Sequence, residues 1–233
     1  MSGKLYVIGT PIGNMKDITL RAIETLSKVE VLVCEDSRNA SKLVNHYQKL
    51  GMIERRPRYI PYNEFNESSV YTKIRELIEA GSTVALVSDA GMPAISDPGY
   101  RIIRECYDKG LEVEVIPGVS SVTTALSASG IGGDSFIFLG FLPKKQGKRQ
   151  STLEKARETL ESVAGMRIVI FLSPHKAVRE IGEIKEVLGD RRVVLMREMT
   201  KIFEERVEAS LSELLERATA KKYKGEMVLV IGA

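Results

Sequence analysis

The chain has 233 residues, enough for one large domain or two small ones with an ample core. Hydrophobic residues make up 43% and charged residues 28%, the balance of an ordinary globular protein, and a formal charge of +3 excludes a global field for polyanions. The charge is uneven, net −1 over residues 1–116 and net +4 over 117–233, which leaves room for a local basic patch in the second half.

Cys34 and Cys106 sit in or beside apolar segments and read as reduced core thiols. His46 and His175 are far apart and give no zinc-ligand spacing, so no metal is expected. The N-terminus has no signal-peptide layout, and no apolar run is long enough to span a bilayer. A cytoplasmic protein without membrane contact is expected.

Apolar runs at 5–8, 29–33, 84–87 and 113–116 read as strands. Between them, Asp17 is placed to cap a helix carrying Leu20, Ile23 and Leu26. Val70, Ile74, Leu77 and Ile78 keep helical spacing up to Gly81, and Ile102, Ile103, Cys106 and Tyr107 do so up to Gly110. Such alternation predicts a parallel sheet covered on both faces. After Pro117-Gly118 come a helix carrying Val122, Ala125 and Leu126 and a strand at 136–139. A basic loop and a charged helix near 150–162 precede a strand at 168–172 and a helix after Pro174. A strand at 193–195, a helix at 211–218 and a strand at 227–231 complete the chain. The expected fold is α/β in two domains, 1–116 and 117–233, with a ligand cleft between the lobes.

The segment Ser88-Asp89-Ala90-Gly91-Met92-Pro93-Ala94-Ile95-Ser96-Asp97-Pro98-Gly99 holds more turn chemistry than a simple connection needs. It follows a buried strand, the place where open α/β sheets bind ligands. Its blander reading is a stiff strand–helix loop with Asp97 as cap. Gly9-Thr10-Pro11-Ile12-Gly13-Asn14 and Pro117-Gly118-Val119-Ser120-Ser121 are two further strand-end loops on the same expected edge. Gly9-x-x-x-Gly13 is not the dinucleotide fingerprint, and Gly147-Lys148-Arg149 is not a P-loop. The two aspartates disfavour a phosphate, so a nucleoside-like ligand without polyphosphate is implied. S-adenosylmethionine fits that description.

These loops, with Cys34-Glu35-Asp36-Ser37-Arg38, Gly140-Phe141-Leu142-Pro143 and Lys224-Gly225-Glu226, resemble the ribosomal RNA small subunit methyltransferase I family, a branch of the tetrapyrrole-methylase superfamily. The resemblance spans residue 5 to about 231. It implies two tetrapyrrole-methylase α/β domains, commonly as a homodimer. The implied activity is S-adenosylmethionine-dependent 2′-O-methylation of a cytidine ribose in the decoding region of small-subunit rRNA, free or in the assembled subunit. Carried over by position, the cofactor contacts fall at Pro11, Asp89, Met92, Ser120, Ser121, Phe171, Met196 and Val228. Met92 stands where the family pattern has Thr, Ser37 replaces Thr in the acidic motif, and the chain ends without the basic extension of many relatives. That leaves rRNA docking to the core.

Methyl transfer to a ribose hydroxyl needs alignment and a hydrogen-bond acceptor or base. Asp36 is the favoured acceptor and Arg38 the orienter or phosphate clamp. Glu198, Lys201 and Glu204 would share one face if their segment were helical, with Lys201 positioning the hydroxyl. The alternative is that both groups are surface ion pairs. His175 is a weaker candidate, and the scarce aromatics form no visible stacking stripe. Lys144, Lys145, Lys148 and Arg149, with Arg55, Arg56 and Arg58, are candidate phosphate contacts; a solvated loop is the plainer reading. Competing readings are a methyltransferase acting on a tetrapyrrole or a modified protein histidine, a non-catalytic RNA-binding module, and a nucleotide hydrolase. The last is disfavoured by the missing P-loop.

Overall fold

The structure, a computed structural model, describes residues 3–63 and 66–232. The chain divides into two compact units, Met1–Ser120 and Ser121–Ala233.

The first unit is built on β1 (Lys4–Ile8), β2 (Val31–Cys34), β3 (Arg58–Pro61), β4 (Thr83–Val87) and β5 (Glu112–Ile116). All run parallel, in the order β3-β2-β4-β1-β5, with Leu5 opposite both Val84 and Val113. Because side chains alternate along a strand, each face has its own core. Leu5, Val7, Val33 and Leu86 pack with Ile74 and Ile78 of α3 (Glu67–Glu79) and Ile102 and Cys106 of α4 (Tyr100–Asp108). On the other face, Ile8, Leu32, Cys34 and Val87 pack with Ile23 and Leu26 of α1 (Leu20–Leu26) and Leu43 and Val44 of α2 (Ser37–Lys49). The two cysteines therefore lie in cores on opposite faces. Burial pushes the Cys34 thiol up to about 12 and the Cys106 thiol up to about 11, which makes both poor nucleophiles.

Two expected caps are corrected. Thr19, not Asp17, caps α1, its hydroxyl accepting the Ala22 N–H at 3.1 Å; Asp17 lies in a preceding 3-10 turn, Met15–Asp17. Asp97 does not cap α4: the cap position falls two residues later, on Gly99 at φ +136°.

The second unit is built on α5 (Ser121–Ser129), β6 (Ser135–Phe141), α6 (Gln146–Ser162), β7 (Met166–Leu172), α7 (Ala177–Leu188), β8 (Arg192–Arg197), β9 (Glu205–Ser210), α8 (Leu211–Ala220) and β10 (Met227–Ile231). Its sheet has the order β6-β7-β10-β8-β9. β6 and β7 are parallel, β10 is antiparallel to both β7 and β8, and β9 folds back antiparallel on β8. The first sheet is parallel as expected; this second one is mixed, because β8 and β9 are joined directly, without the helical crossover that parallel strands need. Ile168, Ile170, Leu195 and Leu229 pack under Leu153 of α6, Ile181 and Ile184 of α7, and Leu211 and Leu214 of α8. α5 packs on β10 and β8. Ser210 and Glu213 start α8 with a capping box, at 3.2 and 3.0 Å.

Candidate functional site

In the first sheet every strand points the same way, so the segments after β2, β4, β1 and β5 leave from one edge. They are tied to each other there. The Gly9 N–H donates to the Ile116 carbonyl at 3.0 Å, and Thr10 and Gly91 exchange backbone hydrogen bonds at 2.8 and 3.1 Å. A β-carbon on Gly9 would stand 2.7 Å from the Gly118 Cα and 2.6 Å from the Met92 sulfur, so glycine is required for this approach. The three glycine-bearing loops meet as expected. Within them Pro11 is buried, Asp89 is exposed, and Met92 and Ser120 are partly exposed. Ala94 and Ser96 hold φ of +65° and +61°, a strained backbone of the kind that concentrates at functional sites.

A fourth segment joins through Asp89. Its carboxylate accepts the Asp36 N–H at 3.3 Å and the Asn39 side-chain amide at 2.7 Å. Asp36 itself caps α2, accepting the Arg38 N–H at 2.8 Å while the Arg38 guanidinium clasps both carboxylate oxygens. The side-chain and backbone hydrogen bonds from Arg38 bring the Asp36 carboxyl down to about 2. A carboxylate held that low is a poor general base while the pair is closed. The Arg38 side chain is 85% exposed, so an anion from solvent can compete for it.

In the second sheet the C-terminal ends of β6, β7 and β8 share an edge with the starts of β9 and β10. The segments 142–145, 173–176, 198–204 and 221–226 emerge there. Phe171, Val228 and Met196 stand directly opposite one another on β7, β10 and β8, a row on one face. The Phe171 ring meets Phe138 and Phe141 edge-on, at 4.8 and 5.4 Å between centroids. Ser121 begins α5.

Glu198, Lys201 and Glu204 do not lie on a helix. Glu198 and Thr200 take φ of +51° and +64°, which bends the segment into a turn. The turn still brings Lys201 to Glu198 at 2.9 Å, and Glu226 closes the group at 2.8 Å. Glu204 instead accepts the Thr200 N–H at 2.7 Å. Burial opposes the Lys201 charge, but the carboxylates of Glu226 and Glu198 outweigh it and hold its pKa up. The Lys201 ammonium in turn holds Glu198 below the usual carboxylate range. Gly225 suits the arrangement: it sits at φ +85°, and a β-carbon there would clash with the Glu198 carboxyl group.

The basic candidates separate. Lys144 and Lys145 are exposed before α6, and Lys148 is exposed on its first turn. Arg149 is corrected: it lies in α6, not in a loop, and is 3% exposed. Its guanidinium donates to the Pro143 and Lys144 carbonyls at 3.0 and 2.8 Å and to Glu183 at 2.6 Å, so its donors face inward. Arg55 and Arg56 precede β3 and Arg58 begins it, which puts all three at the opposite edge of the first sheet from the glycine loops. His175 is exposed in the 3-10 turn Pro174–Lys176.

Sequence reasoning missed Asn39, Glu183 and Glu226 as partners. Asn39 stands three residues after Asp36, on the first turn of a helix that was not foreseen. Among the described residues no group of three or more His, Cys, Asp or Glu could hold a metal ion, and no helix is long and apolar enough to cross a membrane.

Comparison with known proteins agrees with this geometry. The family of Tetrapyrrole (Corrin/Porphyrin) Methylases matches residues 4–215. The chain is 41% identical over 229 residues to the ribosomal RNA small subunit methyltransferase I of Thermotoga maritima, covering 98% of each. It is 43% identical over 228 residues to the protein of that name from Mycoplasmopsis pulmonis, covering 97% of this chain and 96% of the relative. Against the Bacillus subtilis protein of that name it is 38% identical over 229 residues and spans 75% of the relative's length. Uroporphyrin-III C-methyl transferase from Thermus thermophilus, solved with S-adenosyl homocysteine, shares the fold at a TM-score of 0.67 and 18% identity, covering 99% of this chain and 97% of that one. Diphthine synthase shares it at 0.72 and 16% identity, covering 99% and 90%. With a match that runs over nearly all of both units, the chain belongs to the tetrapyrrole methylase family.

Proposed function

We propose that the chain transfers the methyl group of S-adenosylmethionine to the ribose 2′-hydroxyl of a cytidine in the decoding region of small-subunit rRNA, acting in the cytoplasm as a homodimer. What carries the reading is near-full-length likeness to relatives named for small-subunit rRNA methylation, on a fold whose glycine loops meet at one sheet edge. Those loops suit a phosphate-free nucleoside: Gly9 and Gly118 leave no room for side chains, and Asp89 sets a negative charge beside them.

The donor, when bound, supplies a methyl group on a sulfonium that leaves as a neutral thioether. In the first unit Pro11, Asp89, Met92 and Ser120 would hold it; in the second, Ser121 and the row Phe171, Val228 and Met196. The residues of the chain must align the hydroxyl and receive its proton. A substrate phosphate that draws the Arg38 guanidinium away removes the strongest influence holding the Asp36 carboxyl down and frees its oxygens to accept that proton, while the Arg38 backbone N–H keeps the carboxylate in place. Lys201 uses two of its three ammonium protons on Glu198 and Glu226, and the third remains to orient a substrate oxygen. Lys144, Lys145 and Lys148 meet backbone phosphates, while Arg55, Arg56 and Arg58 do so away from the donor loops.

Incubation with labelled donor and three acceptors tests the reading: assembled small ribosomal subunits lacking the modification, naked small-subunit rRNA, and a uroporphyrinogen-type tetrapyrrole. Label entering the rRNA of either of the first two supports it. Label entering the tetrapyrrole alone overturns it.

A further inference from the structure

The turn between β8 and β9 carries two large apolar side chains into solvent, Ile202 at 95% and Phe203 at 72% exposure. A loose loop would hide them or let them move, and this turn is held from several sides. The Lys201 and Glu204 N–H groups donate to the carbonyls of Glu198 and Lys201 at 3.0 and 3.1 Å. The Glu198 N–H donates to the Glu226 carbonyl at 2.9 Å, and the Glu226 N–H returns to the Glu198 carboxylate at 2.8 Å. Two non-glycine residues, Glu198 and Thr200, are kept in the left-handed region to make this shape. Holding the backbone beneath an exposed aromatic ring removes part of the ordering cost of a later contact.

The surroundings say what kind of contact. Lys222 and Lys224 are exposed on the segment 221–226 that enters β10, and Arg197 at the end of β8 holds the Lys224 carbonyl at 3.2 Å, so this lysine-bearing segment, with Glu226 at its far end, is docked beside the base of the turn. An aromatic face beside cations is the pairing that binds unstacked nucleotides: the ring takes a base, the lysines take phosphates. A second copy of the chain is a poorer fit. A buried aromatic contributes about 150–250 Å², against about 800 Å² per partner in a stable interface, and charged Lys201 and Glu204 flank the apolar pair.

We infer that Phe203 is a stacking platform for an unpaired base of the RNA substrate, with Lys222 and Lys224 on the adjoining phosphates. This deepens the proposed function and rests on it for the identity of the RNA.

The chain contains no tryptophan, so Phe203→Trp places a single reporter at the platform. Titrating this variant with an unstructured cytidine-containing RNA oligonucleotide, and with small ribosomal subunits, should quench its fluorescence, and a stacked base makes that quenching independent of protein concentration. Phe203→Ala should weaken binding of both probes by about five- to a hundredfold. Phe203→Tyr should restore it and Phe203→Leu should not, with donor affinity by calorimetry equal in all variants. Wild-type affinity for the leucine variant, or fluorescence that ignores RNA and changes with protein concentration, overturns the platform. Absence of quenching alongside normal methylation of subunits by the wild type removes the platform and leaves the proposed function standing. Quenching without methylation removes that function and leaves the platform.

Discussion

Gly9 and Gly118 meet backbone to backbone: a β-carbon on Gly118 would stand 2.9 Å from the Gly9 Cα. The contact locks the segment after β1 against the segment after β5, in the middle of the proposed donor site. Gly9→Ala forces them apart, an overpacking that costs about 1–3 kcal/mol. The expected result is a lower melting temperature together with at least tenfold weaker donor binding by calorimetry. Unchanged donor affinity would mean these loops do not hold the donor.

Arg149 and Glu183 form a bidentate pair that also pins the Pro143 and Lys144 carbonyls. Removing one member of a buried pair leaves the other uncompensated. Arg149→Lys keeps the charge, but one ammonium cannot reach all those acceptors. Both Arg149→Lys and Glu183→Gln should lower the melting temperature and weaken subunit binding by displacing Lys144 and Lys145. If Arg149 contacted phosphate directly, Glu183→Gln would strengthen RNA binding by removing a negative charge.

Asp36 and Arg38 make a prediction with a pH signature. The folded-state pKa of Asp36, about 2, lies below its ordinary value of 3.8. Its contribution to stability is therefore complete above that ordinary value and is lost as the pH falls through about 2. Asp36→Asn should flatten the acid limb of a urea-midpoint profile over that window. Asp36→Ala should cut turnover about tenfold or more with donor affinity unchanged. Full turnover in that variant removes Asp36 from the proton's path.

Legibility followed the strength of each local signal. The strands of the first sheet, Lys4–Ile8 and Thr83–Val87 above all, were plain because strands buried on both faces read as unbroken apolar runs. The glycine loops were plain because turn chemistry is local. β9 was not, since an edge strand of sequence Glu205-Arg206-Val207-Glu208-Ala209-Ser210 buries only alternate residues. Arg149 reads as one more charge in a basic run until the fold brings Glu183 from α7 against it. The Glu198–Lys201 pair was right in spacing and wrong in cause, because a turn with two left-handed residues returns the chain much as a helix does.

Glu180 is buried on α7, with its side chain 4% exposed and the Ser173 N–H donating to it at 3.4 Å. Burial pushes its pKa up despite that hydrogen bond. The folded state thus holds the proton more tightly than the unfolded chain, and stability falls as the pH rises from the ordinary carboxyl value through the raised one. Glu180→Gln keeps the shape and the acceptor without the charge. Denaturant midpoints at pH 5 and pH 8 should show the variant gaining on the wild type at the higher pH. A gain confined to pH 5 would reverse the sign and contradict a raised pKa.

The most direct measurement is the position of the transferred methyl. Small ribosomal subunits lacking the modification are treated with the protein and isotopically labelled S-adenosylmethionine, and their proteins, their rRNA fragments and the nucleosides each fragment yields are read by mass spectrometry. Label on the ribose of cytidine, from a fragment of the decoding region, is the predicted result. Label on a base, on another nucleoside or on ribosomal protein would contradict the account.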